Sequence, residues 1–181
     1  MPTQNKLKFW LLIILVIFAV LALWAFGVHE SMHILACDAS GLQGSLVDYR
    51  TGNCADLDTA PSWTFFLVKS APYLADILAA VFLWFLARRL DFVGLLKGGT
   101  RGVAIFAAMN AWALAVLFDV ASNYAGSLIG FTDFFSIIAF DKALLVPAMV
   151  VTFVALLFTM LFFWEECIEI KPKLNRKTSR R

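Results

Sequence analysis

Four long apolar blocks separated by polar stretches decide most of what this chain can fold into. They run from about Phe9 to Ala36, Lys69 to Ala87, Val103 to Tyr124 and Leu144 to Trp164. Each has the roughly 20 residues that an α-helix, rising about 1.5 Å per residue, needs to cross a hydrocarbon core of about 30 Å. Hydrocarbon offers backbone N–H and C=O groups no water, so a spanning segment satisfies them within itself, as a helix does. Composition agrees: of 181 residues, 61% are hydrophobic and 15% charged, where soluble domains are roughly 45–50% apolar. The expected fold is an all-α integral membrane protein, a single transmembrane domain over residues 1–181 with four spanning helices. Lys6 and Lys8 ahead of the first block also fit a secretory signal. That block, however, is too long for a signal's apolar region and lacks a small-x-small cleavage site, so it reads as a retained span.

Basic residues set the expected orientation, because loops rich in Lys and Arg stay in the cytoplasm. Lys6 and Lys8, the second loop (Arg88, Arg89, Lys97, Arg101) and the tail from Lys171 to Arg181 together hold twelve of the fifteen basic residues. The first loop carries Asp38, Asp48, Asp56 and Asp58 against Arg50 alone, and the third loop has only Lys142. Both termini are therefore expected in the cytoplasm, most simply of a multi-pass protein of the cell membrane. The net charge of +2 follows from this topology, and the tail reads as a basic segment touching anionic lipid headgroups. No nucleic-acid role is expected. Cys37 and Cys54 bracket the outer loop and can pair in an oxidising compartment; two unpaired thiols are the equal alternative.

Within that loop, Ser45 to Tyr49 alternates weakly ahead of a Thr51-Gly52-Asn53 turn signal, so a short β-hairpin is expected. Pro61 to Phe66 reads as an interfacial segment with its aromatics at headgroup level. The stretch from Asn123 through Gly126 and Gly130 to Asp133 is too apolar for a solvated connection. It is expected to be re-entrant, which non-helical backbone tolerates only where buried in protein or lining a cavity. Glu165, Glu166 and Glu169, at the inner end of the last helix, are read as solvated.

The chemistry is concentrated in His29-Glu30-Ser31-Met32-His33. Histidines four apart on a helix share one face and can grip one metal ion. In HExxH metalloproteases they are zinc ligands, and the glutamate takes a proton from the attacking water. These are the only two histidines of the chain. An ionisable side chain within a membrane helix costs about 2.5 to 3.5 kcal/mol even on lenient scales, so it is seldom kept without use. The plainer alternative has the motif cap the outer end of its helix, where such groups are cheap. Against that, Glu30, Asp76 and Asp119 each lie about 8 to 10 Å of helix inside the outer end of their blocks, which brings three carboxylates to one level near the outer face. A zinc site needs a third protein ligand, which here is a carboxylate or Cys. Asp133 and Asp119 are the candidates, and Asp119 reads equally as an acceptor for a ligand histidine's ring N–H or a partner of Asn123.

Taken together, these elements resemble the site-2 protease family of intramembrane zinc metalloproteases. In that family an HExxH helix is followed by a hairpin-containing loop, a Gly-Pro-x-x-Asn element, and an Asn-x-x-Pro-x-x-x-x-Asp-Gly element that supplies the third ligand. Ser70-Ala71-Pro72-Tyr73-Leu74-Ala75-Asp76 looks like the second element, and Asp119 to Asp133 looks like a degenerate third. Alanine stands before Pro72 in place of glycine, Asp76 takes the place of the asparagine, the third element lacks its proline, and Phe134 follows Asp133. The resemblance implies zinc held by His29, His33 and Asp133, with Asp119 as the alternative third ligand. It also implies Glu30 as general base, Asp76 and Asn123 in substrate positioning or transition-state hydrogen bonding, and a membrane-protein substrate cut in or near a transmembrane segment.

Other classes fit less well. A di-iron carboxylate enzyme needs a second Glu-x-x-His, and a membrane thiol oxidoreductase a C-x-x-C pair; neither is present. A non-catalytic metal-binding scaffold or helix-binding relative remains, although a purely structural metal site has no need of a base beside its ligands.

Overall fold

A computed structural model describes residues 3–48, 51–127, 130 and 132–178 of the chain. Helical backbone runs through α1 (Thr3–Ala22), a π-helical segment (Leu23–Val28) and α2 (His29–Ala39). In the π segment the His29 N–H reaches back five residues to the Trp24 carbonyl. A hairpin follows, β1 (Gly44–Asp48) and β2 (Thr51–Cys54), then α3 (Ser62–Ala87), α4 (Phe92–Lys97), α5 (Gly99–Ser127), α6 (Asp133–Phe140) and α7 (Leu145–Thr178).

Among the described residues, three helices are long and apolar enough to cross a membrane: Ser62–Ala87, Gly99–Gly126 and Lys142–Ile168. In the first predicted span, the apolar α-helical stretch among the described residues is Phe9–Ala22, and helical backbone continues through the π segment into α2. The second helix begins at Ser62 with Pro61 as its N-cap, so the segment expected at headgroup level is helical from Ser62 onward. After α5, Leu128, Ile129 and Phe131 lie outside the described residues. Asn123 to Ser127, the first part of the stretch expected to be re-entrant, belongs to α5, and the remaining described part is Gly130, at φ +79°, Thr132 and Asp133, the first residue of α6.

α3 is central, packing most extensively on α7 and also on α2, α5 and α6, while α1 lies along α5. Lipid tails are as apolar as side chains, so helices in a bilayer associate through close packing, which small residues allow. Ala79, Ala80, Ala113, Ala115, Ala148 and Ala155 are accordingly buried. Large apolar side chains point outward instead: Trp10, Leu15 and Phe18 on α1, Leu78 and Phe85 on α3, Phe118 on α5, Phe153 and Met160 on α7. A water-facing surface does not carry so much exposed apolar area.

The hairpin is antiparallel, pairing Gly44 with Cys54, Ser45 with Asn53 and Leu46 with Gly52, with an irregularity between Leu46 and Asp48. Thr51, Gly52 and Asn53 thus belong to the second strand, where the sequence predicted a turn. The alternatives for the outer-loop cysteines resolve to a Cys37–Cys54 disulfide, which fastens β2 to α2. The Gly44 N–H donates to Asp38 Oδ1 at 2.8 Å. A Cβ at Gly44 would lie 2.9 Å from the Ile34 backbone oxygen, so only glycine lets the strand lie this close.

Candidate functional site

His29 and His33 sit one turn apart on α2. Their Nε2 atoms converge on a single oxygen, Asp133 Oδ2, at 3.3 and 3.0 Å. Asp133 is the first residue of α6, and Thr132 fixes where that helix starts. The Thr132 hydroxyl accepts from the Phe135 N–H as N-cap and donates to the Asn123 carbonyl at 3.1 Å, tying α6 to the end of α5. Together His29, His33 and Asp133 form a group able to hold a metal ion, with ligand atoms all within 4.8 Å of one another.

The other ring nitrogens point away from this group, each to an acceptor. His29 Nδ1 lies 2.9 Å from Asp119 Oδ2, and His33 Nδ1 lies 2.8 Å from the Val68 carbonyl oxygen. A carbonyl only accepts, so the Nδ1–H of His33 donates to it, and the ring's Nε2 faces Asp133 Oδ2. Metal-binding histidines carry outer hydrogen bonds of this kind, which fix the tautomer and the ring plane.

On the far side, Lys69 Nζ meets Asp133 Oδ1 at 3.1 Å. Burial by itself favours the neutral acid. Hydrogen bonds from His29 and His33 and the charges of His33 and Lys69 nevertheless hold the Asp133 carboxyl well below the usual carboxylate range.

Behind His29, Asn123 is buried and donates its amide to the Asp119 backbone carbonyl at 3.0 Å. Asp76 is wholly buried beside Asp119, and its Oδ1 accepts from Trp24 Nε1 at 2.9 Å. The π segment supplies that tryptophan. Asn123 thus meets Asp119 and also lines the larger cavity described below, and Asp76 lies beside Asp119 within the bundle.

Glu30 turns to the hairpin: its Oε2 accepts from the Gly52 N–H at 2.7 Å. It also lines a polar cavity of about 310 Å³ shared with His33, Asp133, Lys69, Asn53 and Asp58. A larger, mostly apolar cavity of about 800 Å³ opens between α1 and α5, walled by Phe18, Trp24, Leu114 and Phe118, and reaches His29 and Asp119.

Four contributors went unread in the sequence: Lys69, Trp24, Gly52 and the Val68 carbonyl. Hydropathy makes Lys69 the edge of an apolar block, but the helix runs back through aromatic residues to Ser62, which puts Lys69 inside it. Backbone groups such as the Gly52 N–H and the Val68 carbonyl carry no sequence signal of their own. Of the carboxylates read as solvated, Glu166 is buried and accepts from Asn110 Nδ2 at 2.7 Å, while Glu165 lies 3.7 Å from Arg88 at the surface. No protein family, curated protein or solved structure matches the chain.

Proposed function

We propose that this chain is an intramembrane zinc metalloprotease of the site-2 protease kind, hydrolysing peptide bonds in or near transmembrane segments of membrane proteins. One observation carries the reading: two imidazole Nε2 atoms and a carboxylate oxygen meet at one point, both Nδ1 atoms are already engaged by acceptors, and Glu30 lines the adjoining cavity. This donor set fits zinc, which takes histidine nitrogen and carboxylate oxygen and, in catalytic sites, three protein ligands with one position open.

His29, His33 and Asp133 would hold the ion. When bound, zinc supplies Lewis acidity toward the scissile carbonyl and makes water a better acid. Asp119 and the Val68 carbonyl hold the two imidazoles in register, and Lys69 occupies Asp133 Oδ1, leaving Oδ2 for coordination. Glu30 is the general base, accepting the proton of the attacking water on its carboxylate and later passing it to the leaving amine. The apolar cavity between α1 and α5 can take a hydrophobic segment as far as His29 and Asp119, while Glu30, His33 and Asp133 line the separate polar cavity. A substrate helix has to unwind locally there, because its backbone is otherwise internally bonded.

In this reading α1 with α2 forms a fourth span, the re-entrant stretch leads into α6, both termini are cytoplasmic, and the site lies nearer the outer face.

A second reading, a non-catalytic metal-binding scaffold, is favoured by the Gly52 N–H held on Glu30. The deciding experiment combines metal analysis of the purified protein with cleavage of a membrane substrate by wild type and Glu30→Gln. Zinc retained in both with cleavage lost in the variant is the expected outcome. Equal cleavage by both, or no bound metal in wild type, would sink the protease reading.

A further inference from the structure

We infer that Pro72 is a positioning residue for the candidate metal centre, acting on His33 through the backbone carbonyl of Val68; this rests on the metalloprotease reading above. Pro72 lies inside α3, ten residues past its start at Ser62. Proline there is costly, because it lacks the N–H that would bond to the carbonyl four residues earlier and its ring pushes against that carbonyl. The carbonyl four residues before Pro72 is that of Val68. Val68 and Pro72 are both fully buried, so water does not compensate the freed oxygen, and an unpaired buried carbonyl is itself expensive.

The group that takes it up is the Nδ1–H of His33, at 2.8 Å. Each half of the arrangement thus needs the other. The proline releases an acceptor from the helical ladder, and the histidine satisfies it. In doing so His33 becomes fixed with hydrogen on Nδ1, and its Nε2 is turned toward Asp133 Oδ2 at 3.0 Å. Asp119 gives His29 the same support through a side chain. α3 has no side chain doing so for His33, and the missing N–H at position 72 does the work of one.

Restoring that N–H provides the test. Pro72→Ala and Pro72→Val both return a donor to α3 that competes for the Val68 carbonyl, and valine also keeps bulk close to that of the proline ring. In zinc-free protein, ¹⁵N NMR of the two histidines is expected to show an exchange-protected Nδ1–H on His33 in wild type and loss of that protection in both variants. Zinc affinity, measured by competition with a chelator, is expected to fall about tenfold in both, the lower end of what outer hydrogen-bond partners contribute. An unprotected His33 Nδ1–H in wild type, or equal protection in wild type and variants, overturns the inference. So does a wild-type zinc affinity in Pro72→Val alongside a weakened Pro72→Ala, because bulk and not the N–H would then be responsible. A wild-type protein that takes up no zinc defeats the protease reading instead, and the zinc-free NMR comparison then decides the role of Pro72 alone.

Discussion

Asp133 and Asp119 carry the same functional group and touch the same histidine, yet they meet opposite nitrogens of it. Asp133 faces Nε2 of His29 and of His33, whereas Asp119 reaches only Nδ1 of His29. Their substitutions should therefore differ in kind. Asp133→Ala is expected to abolish zinc binding at micromolar metal, while Asp119→Ala should weaken it roughly 10- to 100-fold and leave it measurable by chelator competition. Loss of zinc from Asp119→Ala alone would reverse the assignment. From the sequence, His29, Glu30 and His33 could be read because helical periodicity places residues four apart on one face. The choice between Asp133 and Asp119 could not, since it depends on which face α5 and α6 present to α2, and the Thr132–Asn123 hydrogen bond that ties those helices together has no sequence signal.

Among the elements, the hairpin matters most for Glu30. A Cβ at Gly52 would stand 3.1 Å from Glu30 Oε2 and 3.4 Å from both the Glu30 backbone oxygen and the Ile34 side chain, so Gly52→Ala has to displace the strand or the carboxylate by a few tenths of an ångström. Cleavage is expected to fall about tenfold, since catalytic geometry is sensitive to displacements below 1 Å, with zinc content unchanged. Equal activity would show that Glu30 does not depend on the strand. The Cys37–Cys54 bond spans 17 positions, a loop size whose removal costs roughly 3 kcal/mol in the chain-entropy view. Cys54→Ala should accordingly unfold at lower denaturant than wild type, and an unchanged midpoint would count against the tether. Hairpin and helices were legible as pattern, but their limits were not. Ser62 to Val68 is aromatic enough for headgroup level and still helical, and Thr51-Gly52-Asn53 has turn composition but serves as a strand because glycine there permits contact with α2.

At the scale of the whole molecule, the charge distribution and the three long apolar helices bear on one prediction. Trypsin added to inside-out vesicles should remove the basic tail from Lys171 onward, and the same protease outside right-side-out vesicles should leave it intact; the reverse pattern would invert the proposed orientation. The bundle as a whole could be anticipated from hydropathy. The π segment of the first helix could not, because a π turn leaves no periodic signature over six residues. One consequence of the fold concerns time. His33 and Asp133 are 100 positions apart, and at the roughly 5 to 20 residues per second of chain synthesis some 5 to 20 seconds separate them. During that interval α2 and α3 can already pair, with the Val68 carbonyl ready for His33, while the third member of the cluster has yet to be made. The growing chain thus carries an unfinished pair of histidines through most of its synthesis, and the cluster can close only after α5 has been built.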